Sequence, residues 1–380
     1  MLAAVSCVYP FDPEVEEADS ILVIEGDILV GEECTFSVSY TVPLHKEDKN
    51  VVSFGYSNSV DASIWVEDSE GGKYYAGSQS RTIDLTDADP SLQYRLNVSD
   101  NTTGRNYRSE FKPVIKAAEI DGLSYILDKD KDKFNVGLSM HTAGSHYFKW
   151  SYVETWEYTA HYYSQYKYIV DNRYNRQGHI EPYEDGENVY YCWNSRPSSE
   201  VMIFTTKDQT EDRFVDLEFH TMPRSDQRIL YMYHINVQLE PLDEEGYRFW
   251  NNLQQISDNQ GGFFSPVPSQ MSGNISCVED PDEFVIGYIN VAQRSSSQLY
   301  YYNSDEHFYE SERITWPEPE EVAPDEWYDK YISGYVPVYA VYDEMSFEIS
   351  GYTWVEEECA DCRRLGGSKI KPSWWPSDHI

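Results

Sequence analysis

The chain has 380 residues, of which 66 are Asp or Glu and 29 Lys or Arg, giving a formal net charge of −37. A surface of that sign repels phosphate backbones and anionic headgroups, which argues against nucleic-acid binding. Hydrophobic residues make up 40 %, and the 33 tyrosines tilt the composition toward strands; no apolar run reaches the ~20 residues a membrane-spanning helix needs.

Residues 1–20 show no periodicity. Met1 to Cys7 ends in Ala4, Val5, Ser6 and a cysteine, similar to the tail of a bacterial lipobox in which Cys7 carries the lipid. The acidic, proline-bearing stretch at 8–20 then reads as a solvated leash.

Residues 21–115 read as a β-sandwich domain of immunoglobulin- or transthyretin-like type. Ile21–Ile24 is an apolar run closed by Gly26, and Cys34, Phe36, Val38 and Tyr40 alternate with polar residues. Ala62, Ile64 and Val66 alternate before a turn at Glu70-Gly71-Gly72, followed by Lys73-Tyr74-Tyr75, a hairpin signal. Tyr94, Leu96 and Val98 make another strand, then a turn at 101–104 leads into Tyr107, Ser109 and Phe111.

A larger β-rich domain is expected over 116–315. Tyr152, Glu154, Trp156 and Tyr158 keep period two, as do Val215, Leu217 and Phe219. In the longest strand Tyr231, Tyr233, Ile235, Val237 and Leu239 face in, which leaves Met232, His234, Asn236, Gln238 and Glu240 facing out. One short helix interrupts: Asp243 is a good N-cap, Phe249, Leu253 and Ile256 share a face, and Gly261-Gly262 ends it. Residues 316–380 form a C-terminal segment packed on this domain. The fold class is therefore all-β, an N-terminal sandwich followed by a larger β-rich domain.

Few residues suggest chemistry. Asp128, Asp130 and Asp132 resemble the start of a calcium loop, but Lys133 and Ser139 stand where that loop needs glycine and a bidentate glutamate, so a charged hairpin turn is expected. Cys359-Ala-Asp-Cys362 lacks the second pair or the histidines that zinc requires. A structural disulfide is expected instead, within the pair or from one member to Cys192. No metal and no cofactor is expected. Glu154 and Glu157 are glycosidase-type carboxylates only in the weak sense that so acidic a chain supplies such pairs by chance. Tyr158, Tyr162, Tyr163, Tyr166 and Tyr168, with 300–302, could offer an aromatic binding surface, although period-two tyrosines equally serve strand packing.

The C-terminal half carries Gly261-Gly262-Phe263-Phe264-Ser265-Pro266-Val267-Pro268-Ser269-Gln270, then Gly273-Asn274-Ile275 and Gly287-Tyr288. In these runs it resembles domain-of-unknown-function family 4249, envelope lipoproteins of Bacteroidota. The closing run Cys359 to Cys362, Gly366-Gly367, Lys371-Pro372 and Trp374-Trp375-Pro376 fits too. Ser265 and Val267 depart from the aspartate and proline that the family often has there. The resemblance implies an outer-membrane lipoprotein anchored through Cys7, with Asp12, Glu14, Glu16 and Glu17 as a surface-export signal. It further implies a non-enzymatic accessory or cargo-capture partner of a TonB-dependent β-barrel transporter, at the cell surface rather than on the periplasmic side. A structural or adhesive surface protein is the first alternative and a glycan or peptide hydrolase the second.

Overall fold

Alternation builds the N-terminal module. In this computed structural model, which describes residues 20–41, 59–77, 80–184, 186–199, 201–258, 273–310 and 316–376, Leu22, Ile24, Cys34, Phe36 and Val38 all point into one core. Glu25, Glu33, Thr35 and Ser37 between them face water. Leu22–Glu25 pairs antiparallel with Ser37–Tyr40. The facing sheet carries Ala62–Asp68, Gln93–Asp100 and Asn106–Ser109 side by side, with Lys73–Tyr75 on the hairpin after Gly71 and Gly72. Cys7, the acidic leash and the 261–270 run lie outside the described residues.

The domain boundary at 115/116 needs correction. Residues 275–292, assigned from sequence to the second domain, return to the first. Ile275–Cys277 adds to Asn106–Ser109, while Val285–Ile286 and Val291–Ala292 run parallel to Leu22–Glu25 and Ile28–Leu29. The reason is the open edge of Leu22–Glu25: its unpaired backbone and the apolar side chains beside it need a partner, and Val285, Ile289 and Val291 complete that core. Asn274 fixes the returning segment by donating from Nδ2 to the Ile289 carbonyl at 2.9 Å and accepting from its N–H at 2.8 Å.

The second module is also a sandwich. Tyr147–Thr159 sits centrally, flanked by Tyr191–Pro197 and Met202–Thr205 on one side and by Met232–Leu242, then Ser295–Tyr302, on the other. The facing sheet is Glu119–Asp128, Lys133–His141 and Arg213–Pro223. Phe134, Val136, Tyr233, Ile235, Val237 and Tyr301 fill the space between. The aspartates at 128–132 form a hairpin turn in which the Lys131 N–H donates to Asp128 Oδ1 at 3.0 Å. The helix spans Glu244–Asp258, and Asp243 caps it by accepting the Gly246 N–H at 2.7 Å. Shorter helical turns of 4–6 residues occur at Asn303–Glu306, Trp327–Ile332 and Glu357–Ala360. Strands take 50 % of the described residues and helices 10 %, so the protein is all-β.

The C-terminal segment forms a sheet of its own, Glu320–Val322, Ile349–Glu356 and Tyr335–Tyr342. It packs through Val322 and Trp354 on Tyr168 of the hairpin Tyr166–Asn172/Gln177–Pro182.

Glu240 departs from the outward register read for it, because the N-terminal module covers it. Lys149 pairs with Asp27 and lies 3.5 Å from Glu240 Oε2, and Asn290 Nδ2 donates to Glu240 Oε1 at 2.8 Å. Two carboxylates thus share one buried ammonium between the modules. Burial, then the charge of Asp27, pushes Glu240 up to about 7 against the pull of Lys149.

Candidate functional site

The site begins with how the tail is held. Cys192, on the strand beside Tyr147–Thr159, forms a disulfide with Cys362 across a sequence separation of 170 residues. Cys359 is not part of it: among the described residues it is a free, buried thiol, like Cys34 and Cys277. The chain turns between the two cysteines, so Cys359 packs with Val338, Val355 and Ala360 while Cys362 faces Cys192 and Tyr158. Burial, then Glu356 and Glu358, pushes the Cys359 thiol up, which keeps it in its unreactive protonated form.

From Cys362 the tail runs over the outer face of the second module's sheet. Trp193 and Ser368 exchange two backbone hydrogen bonds of 2.8 Å, and Trp375 settles against Trp193 and Met232. The sheet register explains the landing place. Trp193 lies opposite Glu157, and Met232 lies opposite Tyr302, on strands that adjoin through Tyr147–Thr159 and Met232–Leu242. Trp375 Nε1 donates to Glu157 Oε2 at 3.2 Å. His234, also read as solvent-facing, lies under Tyr300 and Trp374, with ring centroids 4.5 Å away in each case.

Beside this cover opens a cleft of about 460 Å³ whose lining includes Glu157, Tyr191, Tyr231, Tyr302, His307 and Tyr309. Tyr231 donates to or accepts from Thr159 Oγ1 at 3.2 Å, which fixes its ring at the cleft wall. Tyr191 stands edge-on to Tyr190 with centroids 5.0 Å apart and to Tyr231 at 6.5 Å. Burial pushes the Tyr191 hydroxyl up, and the charges of Tyr190 and Glu157 add to it.

The tyrosines singled out from sequence are not brought together. Tyr158 is buried and donates to the Cys362 carbonyl at 2.8 Å. Tyr168 is buried in the C-terminal sheet contact, Tyr162 donates to the Pro317 carbonyl at 3.0 Å, and Tyr166 meets Tyr352 edge-on at 4.9 Å. Tyr163 is exposed and approaches Tyr190 at 5.2 Å. The strand ends at Thr159, so the residues beyond it enter a different sheet. Of the tyrosines singled out as a surface, only Tyr302 lines the cleft, and of the two carboxylates, Glu157. Tyr191 and Tyr231 join it through cross-strand register, which sequence spacing does not display.

Glu154 and Glu157 are both buried, but three residues apart on a regularly paired strand they point to opposite faces. They do not face each other across a cleft, as a glycosidase pair must. Glu154 lies inside the sandwich. Arg228 Nη1 reaches both its oxygens at 2.8 Å, Tyr233 donates at 2.8 Å, and His220 Nε2 lies at 2.9 Å. Burial works to raise this carboxyl. The His220 hydrogen bond and the Arg228 charge outweigh it and hold Glu154 down at about 2. Among the described residues no group of three His, Cys, Asp or Glu side chains is placed to hold a metal ion.

Two β-sandwiches, interlocked by a returning segment and closed by a disulfide-held tail beside an aromatic cleft, define an all-β protein. The chain belongs to the family described as Domain of unknown function (DUF4249), which it matches over residues 8–298. No curated protein matches it. Among solved structures it is similar to a two fibronectin type-III domain segment from chicken tenascin, at 11 % identity over 59 % of this chain and 91 % of that one, with a TM-score of 0.16. A second is the B domain of a biofilm associated protein, at 8 % identity over 76 % and 88 %, with a TM-score of 0.13. Superpositions that loose carry nothing about function.

Proposed function

We propose that this protein is a non-enzymatic lipoprotein of the outer membrane, displayed at the cell surface through lipid on Cys7, that captures cargo for a TonB-dependent transporter. The observation that carries the capture role is the tyrosine-lined cleft on the outer face of the second module. Rings with an apolar body and a polar tip bury a small ligand while their hydroxyls orient it. The part of its wall built from strands, at Glu157, Tyr191 and Tyr302, is pinned by the Cys192–Cys362 disulfide and by Trp375, so that part needs little ordering by a ligand.

The test is a mild-detergent pull-down of tagged protein from native outer membranes, with intact-mass measurement of the N-terminus. A co-purifying β-barrel transporter and a diacylglyceryl mass on Cys7 are expected. Recovery of the protein alone would refute the transporter partnership, and an unmodified cysteine would refute the anchor.

One observation favours the adhesive reading. The hairpin end between Tyr335–Tyr342 and Ile349–Glu356 exposes Met345 by 91 % and Phe347 by 80 %, flanked by Asp343, Glu344 and Glu348. Replacing Met345 and Phe347 with serine separates the two: an adhesin loses surface attachment, whereas cargo capture in the cleft, whose lining includes neither residue, is untouched.

A further inference from the structure

We propose that the joint between the two modules is a proton-operated hinge, closed while the carboxyl group of Glu240 carries a proton and released when it loses it. This hinge is independent of what the cleft binds.

The joint is built from polar groups. Among the described residues the apolar core of the first module, returning segment included, shares no side chain with the main cores of the second. Asn290 Nδ2 crosses the joint to donate to Glu240 Oε1 at 2.8 Å and to the Pro241 carbonyl at 2.9 Å. Lys149 pairs with Asp27, and Lys112 reaches Asp243 at 2.6 Å and Glu245 at 3.1 Å. Tyr288 stacks on Phe249 of the helix with centroids 5.8 Å apart. Relative motion is the default for modules whose interface is not a large apolar one. Two of the chain's crossings between the modules, at 114–118 and 293–294, lie side by side. There the Ile115 N–H donates to the Val291 carbonyl at 3.0 Å and the Gln293 N–H to the Ile115 carbonyl at 2.8 Å. A paired strap of this kind serves as a pivot.

Charge decides whether the hinge is shut. Glu240 faces Asp27 from the loop before Ile28, Lys149 from the adjoining strand, Asn290 from the returning segment and Arg294 from the strap. Arg294 in turn pairs with Glu32 and donates to Gln238 Oε1 at 2.8 Å. From the helix, the Trp250 ring lies 4.9 Å from Lys149 Nζ. The side chains of Asp27, Lys149 and Glu240 are 12, 13 and 7 % exposed, so water and salt screen them little. Lys149 and Arg294 thus face three acids, Asp27, Glu32 and Glu240. With Glu240 protonated the cluster is neutral. With Glu240 ionised it holds one uncompensated negative charge, which burial disfavours and an open joint would hydrate. Burial and Asp27 push this carboxyl up to about 7 in the closed joint, against 4.5 in water. By linkage the ratio of open to closed joint should rise roughly 70-fold between pH 5 and pH 8.

The test follows the distance between the modules. Spin labels are placed through Tyr75→Cys in the first module and Val215→Cys in the second, both exposed positions. The full chain also carries Cys7→Ser, and the free thiols Cys34, Cys277 and Cys359 are buried. Double electron–electron resonance from pH 5 to pH 9 should show a second distance population growing with a midpoint near pH 7. Its ratio to the first should rise at least tenfold. Glu240→Gln, which keeps an acceptor for Asn290, should abolish the growth. Asp27→Asn should flatten it, because ionised Glu240 then balances Lys149. Near-ultraviolet circular dichroism should stay constant, since both cores stay packed. A distance distribution unchanged across this range overturns the proposal, as does growth that Glu240→Gln leaves in place. Loss of the near-ultraviolet signal with the same midpoint overturns it too, because the event is then unfolding rather than opening.

Discussion

Glu154 offers the sharpest quantitative prediction, because a carboxylate buried in a β-sandwich must be stabilised by named partners. Its carboxyl sits at about 2, against 4.5 for an unperturbed glutamate. A difference of ~2.5 units at 1.36 kcal/mol each corresponds to ~3 kcal/mol of folding free energy contributed by the ionised form. The native pKa is depressed, so this stabilisation is complete above the unfolded pKa and disappears as pH falls through the native one. Between pH 7 and pH 3 about 2 kcal/mol of it should be lost. Glu154→Gln removes the charge but keeps the side chain's shape, and Arg228 retains Asp226 at 2.7 Å as a second partner. The variant should therefore fold, be ~3 kcal/mol less stable at pH 7, and lose less stability on acidification than the parent, by about 2 kcal/mol. Urea unfolding followed by tryptophan fluorescence at pH 7, 5 and 3 measures both quantities. Parallel pH profiles for the two proteins would refute the reasoning, for they would mean that the cluster does not hold Glu154 ionised against burial.

Three further perturbations probe other parts of the fold. Glu240 titrates in the opposite sense: its raised pKa means stability falls as pH rises from about 4.5 through about 7. Glu240→Gln should flatten that decline in unfolding measured from pH 5 to pH 8 while Asn290 keeps its acceptor. Replacing Cys192 and Cys362 together by serine should cost ~2–5 kcal/mol, since their bond closes a long loop, and should weaken cleft binding by loosening the tail. Cys359→Ser should leave both the bond and cleft binding in place, as peptide mapping and calorimetry would show. Gly287→Ala should destabilise by about 1–3 kcal/mol in denaturant unfolding. There φ is +151°, and an added Cβ would lie 2.2 Å from the Ile24 carbonyl oxygen.

Sequence pattern and final structure agree where a strand's own alternation decides the outcome. Tyr233, Ile235, Val237 and Leu239 all point inward as their spacing predicts, and Asp243 caps the helix that follows. Alternation names a face but not what covers it. Glu240 and His234 share the outward face of one strand, yet the N-terminal module covers the first and Trp374 the second. Nor do runs of two or three residues, such as Val285–Ile286 and Val291–Ala292, contain enough alternation to reveal a partner more than 250 positions away. The tyrosines failed as a sequence-defined site for a related reason: neighbours in the chain part company where a strand ends, while Tyr191 and Tyr302, at the ends of two strands, meet Tyr231 just before a third.

The residues that carry the family resemblance divide by role once they are placed. Gly273, Asn274 and Gly287 hold the returning segment against Leu22–Glu25: a Cβ on Gly273 would lie 1.5 Å from the Gly287 carbonyl oxygen, and Asn274 clasps Ile289 from both sides. They close the fold and touch nothing in the cleft. Trp375 sits at the other end of the molecule's logic, where its ring covers Trp193 and Met232 and its N–H donates to the Glu157 carboxylate in the cleft wall. Substitution in the first group should therefore be felt as lost stability with ligand affinity intact in whatever remains folded. Trp375→Phe, which keeps the packing and removes the donor, should instead spare stability and weaken ligand binding in the cleft. A variant at Trp375 that lost both together would tie the tail to the fold rather than to the site.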